Sequence, residues 1–246
     1  MNIIYALLIS FFAGISTLIG ALFIFLPIKR DNINRFLTFS LSFSLAIMIG
    51  ICISDLLPES IFTITNAYSY RSIPLIISLF LLSYLLIKLI NKFLSKYESN
   101  LYKLGILSMV TLILHNLPEG IITFLSSYTN LGLGIKLSIA IAMHNIPEGV
   151  AIAVPIYYST GSKKEAILKT TLSGLSEPIG ALIAYIFLSK YITSNMIAII
   201  LIIVSGLMIT LAIEQMLPEA LKYKENKYIY FGIILGIIVI IINTLL

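Results

Sequence analysis

The sequence is a series of long apolar segments, and this feature constrains the fold more than any other. Each segment has about 20 or more residues with few charges, and short charged patches separate the segments. At about 1.5 Å of rise per residue, such a helix crosses the roughly 30 Å hydrocarbon core of a bilayer. Charged residues make up only 11% of the chain, against about a quarter in soluble domains. The sequence therefore predicts an all-α, polytopic membrane protein.

Eight transmembrane helices are predicted in a single transmembrane domain, residues 1–246, because no linker is long enough to separate a second domain. Their approximate boundaries are 2–28, 37–60, 72–94, 105–127, 134–157, 166–189, 195–218 and 228–246. The first span is interpreted as part of the mature protein and not as a cleaved signal peptide, since its apolar run is too long for one and lacks a basic flank.

The distribution of basic residues predicts the orientation of the spans. Loops one, three, five and seven, in which Lys88 and Lys222 are counted, hold thirteen of the sixteen lysines and arginines. Basic residues stay on the cytoplasmic side, so the odd loops are predicted inside and both termini outside. The net charge of +5 is thus a topology signal, and no nucleic-acid partner is expected.

Acidic side chains occur at depths where a bilayer should exclude them. Seven of the eleven lie inside or at the ends of predicted spans: Asp55, Glu59, Glu119, Glu148, Glu177, Glu214 and Glu219. An acidic residue at a helix centre costs about 2.5–3.5 kcal/mol on insertion scales. Glu119, Glu148 and Glu177 are predicted near the middle of spans four, five and six. The only two histidines, His115 and His144, share that depth. A metal ion between these side chains would explain both observations, whereas protonation would explain only the glutamates.

The histidines belong to two similar hexapeptides, His115-Asn116-Leu117-Pro118-Glu119-Gly120 and His144-Asn145-Ile146-Pro147-Glu148-Gly149. In each, histidine and glutamate are four residues apart and share one helix face, while asparagine offers an amide oxygen. The proline frees a backbone carbonyl, which at membrane depth must face protein or a wet cavity. The glycine allows a neighbouring backbone to approach. One copy could be a kinked helix with a structural hydrogen bond, but two copies on adjacent spans favour metal binding.

Two further motifs carry carboxylates. Span six contains Ser173-Gly174-Leu175-Ser176-Glu177-Pro178, and spans two and seven share Leu-Pro-Glu at residues 57–59 and 217–219. By the predicted topology the two Leu-Pro-Glu motifs lie at opposite membrane faces, which predicts inverted repeats around a midplane metal site. The carboxylates at the span ends are candidates for a metal entrance and exit, or equally for solvated helix ends: Asp55 and Glu59 outside, Glu214 and Glu219 inside.

These motifs resemble those of the ZIP (zrt/irt-like) family of metal transporters, most closely its bacterial ZupT-type branch, over essentially the whole chain. The resemblance implies transport of divalent metal ions into the cytoplasm across a bacterial cell membrane, through a binuclear midplane site. One metal would use His115, Glu119, His144 and Glu148, with the thioether of Met48 from span two. The second would use Asn116, Asn145 and Glu177, with Glu119 and Glu148 bridging both metals. The histidine-rich loop of many members is not matched, since residues 95–104 contain no histidine.

The ligand types agree with this resemblance. Imidazole and carboxylate suit Zn²⁺, Fe²⁺, Mn²⁺, Co²⁺ and Cd²⁺, and the absence of thiolate ligands disfavours Cu⁺. The single cysteine, Cys52, is interpreted as a small core residue. The metal is expected as substrate, with no separate cofactor. The other expected partner is membrane lipid, and the sequence leaves a homodimer open.

Two alternative functions compete with transport by a carrier. An intramembrane metalloenzyme would need a His-Glu-x-x-His helix or Glu-x-x-His repeats, and the order here is His-x-x-x-Glu. The chain is therefore predicted not to be an enzyme. A metal-selective channel stays open, because inverted repeats favour alternating access without excluding a channel.

Overall fold

The computed structural model describes residues 3–27, 29, 32–93, 100–187 and 193–245, and these are nearly all helical. The α-helices of the described residues are α1 Ile3–Ala21, α2 Ile33–Ile51, α3 Leu57–Tyr68, α4 Ser72–Phe93, α5 Asn100–Thr129, α6 Leu131–Thr160, α7 Lys163–Gly174, α8 Ser176–Phe187, α9 Ser194–Leu211, α10 Leu217–Lys222 and α11 Asn226–Leu245. The predicted all-α class is confirmed. Residues 95–99 of the predicted histidine-free loop lie outside the described residues.

Several of these helices are long and apolar enough to cross a membrane. Among the described residues five stretches meet this criterion by length and composition: Ile3–Phe25, Ile33–Phe93, Leu101–Tyr128, Gly134–Thr160 and Ser194–Lys222. The prediction of several apolar spans is confirmed, while the count of eight stays a prediction. The second stretch contains two predicted spans, which the 3-10 turn Ser69–Arg71 separates. Predicted span six is interrupted at Leu175, between α7 and α8.

Large apolar side chains are exposed along the outer faces of these helices. On α4 an exposed stripe at four-residue spacing consists of Ile73, Ile77, Leu81 and Leu85. A soluble monomer rarely exposes a continuous apolar surface of this kind, because water would solvate it poorly. The stripe therefore fits a helix that faces lipid.

The helices pack in two groups. α1 packs on α5, α6, α7 and α8, and α5 packs on α6 and α8; we call α1 and α5–α8 the site bundle. α2 packs on α11 and α10, and α9 packs on α3 and α4; we call α2–α4 and α9–α11 the second bundle. Contacts of α2 with α6 and of α5 with α9 join the two bundles. The surfaces between them therefore include one side of α5 and α6.

Glycines hold the helices of the site bundle close together. Gly120 lies against the backbone carbonyl of Glu177, and Gly149 lies against that of Thr17, so neither position has room for a Cβ. The close backbone approach predicted at Gly120 and Gly149 is thereby confirmed. Because the first contact fixes α8 on α5, it also brings the Glu177 side chain towards the two hexapeptides.

Each Leu-Pro-Glu motif follows a π-helical turn. Cys52–Leu56 connects α2 to α3, and Ala212–Met216 connects α9 to α10. In both places the proline is the second residue of the following helix, where its missing N–H costs little. Such turns are rare and are frequent at functional sites. The two motifs therefore share one local structure, although they lie far apart in the sequence.

The main apolar core includes residues from both bundles. Cys52 is fully buried in it, with its Sγ 3.8 Å from the carbonyl oxygen of Ser205. The interpretation of Cys52 as a core residue is confirmed. Met48 is also fully buried in this core, on α2.

Candidate metal-binding site

The two hexapeptides lie on α5 and α6, which meet at Asn130 and form a helical hairpin. Both helices continue through their motif prolines, Pro118 and Pro147. His115 and Glu119 lie one turn apart on α5, and the His115 Nε2 is 3.2 Å from the Glu119 Oε1. The four-residue spacing therefore has the predicted consequence that imidazole and carboxylate share one face.

Side chains from α6 complete the group. The His144 Nε2 lies 3.0 Å from the Glu119 Oε1, and the His115 Nε2 lies 3.6 Å from the Glu148 Oε1. One donor atom from each of His115, Glu119 and His144 lies within 4.8 Å of the others. Adjacent ligands of a tetrahedral zinc ion are about 3.3 Å apart, because each is about 2.0–2.1 Å from the metal. The observed separations are therefore close to those that one bound ion requires.

Many polar atoms of the group have no hydrogen-bond partner in the described part of the chain. They include both carboxylate oxygens of Glu148, one oxygen each of Glu119 and Glu177, and the Nδ1 atoms of His115 and His144. All five side chains are buried. An unpaired buried polar group costs about 1–3 kcal/mol, so such groups usually have a partner. A cation is the partner that would satisfy several carboxylate oxygens together.

The two asparagines use their amide nitrogens on other partners. Asn145 donates to the Glu177 Oε2 at 2.9 Å and to the carbonyl oxygen of Ala13 at 3.0 Å. Asn116 donates to the carbonyl oxygen of Ser173 at 3.2 Å. The amide oxygen of each is buried and has no hydrogen-bond partner in the described residues. The arrangement leaves amide oxygens, which are the metal-ligating atoms of asparagine, available.

Comparison with known proteins decides the family. The family model of the ZIP zinc transporters matches residues 98–244. The zinc transporter ZupT of Chlorobium chlorochromatii is 36% identical over 267 residues, covering 100% of this chain and 98% of the relative. The zinc transporter ZupT of Oceanobacillus iheyensis is 37% identical, with the same coverage. That of Clostridium perfringens is 33% identical over 279 residues, covering 100% of this chain and 96% of the relative.

The chain belongs to the ZIP family. Its members are transporters and not enzymes, so the prediction that the chain is not an enzyme is confirmed. The apolar helices together with the bacterial ZIP relatives identify an integral membrane transporter. The resemblance drawn from the two hexapeptides is confirmed over the full length.

A cavity in this ZIP chain connects the predicted outer carboxylates with the candidate metal-binding group. Its volume is about 370 Å³, and its wall includes Asp55, Glu59, Glu119 and His144. Asp55 and Glu59 are exposed, so the cavity leads from the protein surface to the buried histidine and glutamate. We call it the site cavity. It lies between the bundles, because Asp55 and Glu59 belong to the second bundle, whereas Glu119 and His144 belong to the site bundle.

Hydroxyl groups extend this path beyond Glu59. A second cavity of about 190 Å³ is lined by Glu59 and by four hydroxyl residues, Ser60, Thr63, Ser126 and Ser194, together with apolar side chains. Sequence reasoning missed the four hydroxyl residues, because serine and threonine are also common in helix contacts of membrane proteins. Only the packing of α9 against both α3 and α5 brings them into one lining.

The predicted inner carboxylates line a different cavity. Its volume is about 270 Å³, and its wall includes Glu214, Glu219, Lys103 and Lys222; we call it the lysine-paired cavity. The Glu214 Oε2 lies 2.8 Å from the Nζ of Lys88. Sequence reasoning counted these lysines as topology signals and missed their positions beside the carboxylates.

A tyrosine also binds one of these carboxylates. The Tyr223 hydroxyl donates to the Glu219 Oε1 at 3.0 Å. Burial, followed by the neighbouring Glu219 carboxylate, raises the pKa of the Tyr223 phenol, so the hydroxyl keeps its proton at neutral pH. Glu219 is thus held by a neutral donor and by the Lys222 ammonium.

Met48 remains apart from the group that the contacts define. It lies among the apolar residues of the main core, on a helix that packs against α6. Its ligand role, implied by the family resemblance, stays a prediction.

Proposed function

We propose that this chain carries divalent transition-metal ions across the bacterial cell membrane into the cytoplasm, with Zn²⁺ as the first candidate. The observation that carries the proposal is the buried convergence of His115, Glu119 and His144, whose donor atoms lie within 4.8 Å of one another. The relatives are named zinc transporters, which supports zinc as the transported ion. Fe²⁺, Mn²⁺, Co²⁺ and Cd²⁺ are further candidates because they accept the same imidazole and carboxylate ligands.

The proposed site is binuclear. One ion is bound by His115, Glu119, His144 and Glu148, with Met48 as an additional ligand from α2. The second ion is bound by Asn116, Asn145 and Glu177, and Glu119 and Glu148 bridge the two ions. The unpaired carboxylate and amide oxygens of these residues support the proposal. Three glutamates carry −3 against +2 for one ion or +4 for two, so occupancy changes without leaving a large charge in a medium of low dielectric constant.

The proposed architecture is a single domain of eight spans with inverted repeats and both termini outside. The shared π-turn and Leu-Pro-Glu structure at the two cavities supports the repeats. In this orientation Asp55 and Glu59 form the entrance, and Glu214 and Glu219 form the exit. A homodimer is compatible with this architecture.

Uptake by proteoliposomes tests the proposal. The wild-type protein should take up Zn²⁺, Fe²⁺, Mn²⁺ and Cd²⁺, and a Glu119→Gln, Glu148→Gln variant should lose at least about 90% of this uptake, because the bridging carboxylates are removed. Glu225→Gln is the matched control, since Glu225 is a partly exposed carboxylate paired only with Arg35 among the interactions described. Uptake by the double variant equal to that of wild type would overturn the proposal.

A further inference from the structure

The site cavity and the lysine-paired cavity differ in charge. The wall of the site cavity contains three carboxylates, from Asp55, Glu59 and Glu119, and no lysine or arginine among the described residues. The wall of the lysine-paired cavity contains two carboxylates, from Glu214 and Glu219, together with two lysines. A third lysine, which is not part of the wall, contacts one of these carboxylates. One cavity is therefore strongly negative, and the charges of the other are compensated.

The compensation consists of specific ion pairs. The Lys88 Nζ lies 2.8 Å from the Glu214 Oε2, so it joins α4 to the π-turn after α9. The Lys222 Nζ lies 3.3 Å from the Glu219 Oε2, one turn away on the same helix. The Asp55 carboxylate accepts a hydrogen bond from the Ser54 hydroxyl, and within the described ranges it forms no ion pair. The carboxylates of the site cavity and of the lysine-paired cavity thus have different partners.

This difference in partners determines how strongly each cavity retains a cation. A divalent ion in the site cavity meets uncompensated carboxylates near a surface of low dielectric constant, where attraction is much stronger than in water. In the lysine-paired cavity the same ion must displace an ammonium group or remain close to it, and like charges repel. Glu214 and Glu219 therefore hold the ion less strongly than they would without Lys88 and Lys222.

We propose that the Lys88 and Lys222 ammonium groups act as permanent counter-cations that keep the metal affinity of Glu214 and Glu219 low. The transported ion is therefore released at the lysine-paired cavity. The inference rests on the proposed function and on the predicted orientation, in which both lysines face the cytoplasm. The lysines bind no metal and act through the two carboxylates, as positioning residues. They change the rate of release, whereas the final distribution of the ion is set by its gradient and any coupled ion.

Equilibrium binding of Zn²⁺ to the detergent-solubilised full-length protein provides the first test. Lys88→Met removes the charge and retains most of the side-chain length, whereas Lys88→Arg retains the charge. Lys164→Met is the matched control, because Lys164 is an exposed lysine on α7 with the same predicted sidedness. We expect Lys88→Met to bind an additional Zn²⁺ ion, or to bind its weakest ion about tenfold more tightly. Adding Glu214→Gln should abolish this gain, while Lys88→Arg and Lys164→Met should match wild type.

Uptake into proteoliposomes provides the second test. We expect the Lys88→Met, Lys222→Met variant to have a kcat about threefold or more below wild type and a KM lower by a similar factor, because release is slowed while kcat/KM, which reports capture at the site cavity, is unaffected. A loss of kcat with neither an additional bound Zn²⁺ ion nor tighter binding of the weakest ion would mean that the lysines only support the fold, and it would overturn the inference. If Lys88→Met does not fold, Lys222→Met with and without Glu219→Gln replaces it, because that pair lies within one short helix.

The outcome separates this inference from the proposed function. If wild-type protein takes up Zn²⁺ while the lysine variants bind and transport it as wild type does, the inference is wrong and the proposed function stands. If wild-type protein shows no uptake of any divalent metal, the proposed function fails, and the inference fails with it.

Discussion

Asn145 donates a hydrogen bond to the Glu177 carboxylate at 2.9 Å, and this bond joins α6 to α8 beside the two histidines. The same amide nitrogen donates to the Ala13 carbonyl oxygen on α1, so one side chain connects three helices of the site bundle. The bond occupies one oxygen of Glu177 and leaves Oε1 without a hydrogen-bond partner in the described residues. Asn145 therefore both orients Glu177 and keeps one carboxylate oxygen available.

Replacing Asn145 should weaken both the fold and metal binding. In Asn145→Ala, the buried Glu177 loses its donor, and we expect the free energy of unfolding to fall by about 1–3 kcal/mol. Zinc affinity should fall by about 10–100-fold or more, because Asn145 is a proposed ligand of the second ion and also orients Glu177. Thermal unfolding with and without zinc, together with calorimetric titration, measures both effects. Asn226→Ala, at the exposed start of α11, is the control and should change neither.

Gly120 should be intolerant of any side chain. A Cβ at this position would overlap the Glu177 backbone, which is part of a helix and cannot move aside without displacing α8. We expect Gly120→Ala to destabilise the protein by about 1–3 kcal/mol or more and to lower zinc affinity, because Glu177 shifts with α8.

Gly132→Ala is the matched control for that substitution. Gly132 also lies in a helix, and the nearest atom to its added Cβ would be 3.4 Å away, on the Asn130 side chain. Because alanine favours helices by about 1 kcal/mol over glycine, this variant should be neutral or slightly stabilised. Equal thermal unfolding temperatures for Gly120→Ala and wild type would contradict the proposed packing constraint.

The parts of the site that follow from local spacing were predictable from the sequence. The four-residue interval between His115 and Glu119 determines that they share a helix face. The mid-span depth of Glu177 predicted that it would lie near the hexapeptides, and its hydrogen bond with Asn145 confirms this position, while its ligand role stays a prediction. The grouping of helices into two bundles was not predictable, because nearly every face of these spans is apolar and periodicity does not distinguish lipid from protein. The Lys88–Glu214 pair was also missed, since it depends on how α4 packs beside the π-turn after α9.

Acid pH should inhibit zinc uptake through the histidines. Zinc binds neutral imidazole and ionised carboxylate, so protons compete with the metal, and binding weakens as the pH falls. Uptake by wild-type protein should therefore decrease from about pH 8 to pH 5. His115→Ala, His144→Ala should have lower uptake with a flatter pH dependence, because the groups that compete for protons have been removed. The same uptake as wild type at every pH in this range would refute a role for the two histidines in the pH dependence.

Removing the exposed carboxylates of the site cavity should weaken capture of the ion without slowing its transfer. The double variant Asp55→Asn, Glu59→Gln keeps the shape of the site cavity but removes two of the negative charges that line it together with Glu119. We expect KM for zinc uptake to rise about three- to tenfold with little change in kcat, and the difference to shrink as salt screens the charges.

Initial rates at several salt concentrations measure this effect, with Glu225→Gln as a control carboxylate outside both cavities. A fall in kcat at unchanged KM would instead assign Asp55 and Glu59 to a step after capture. That result would contradict the proposed role of these two carboxylates as the entrance. The Lys88→Met, Lys222→Met variant, measured in vesicles of the same composition, should instead lower kcat without lowering kcat/KM, so the two double variants together distinguish a capture step at the site cavity from a release step at the lysine-paired cavity.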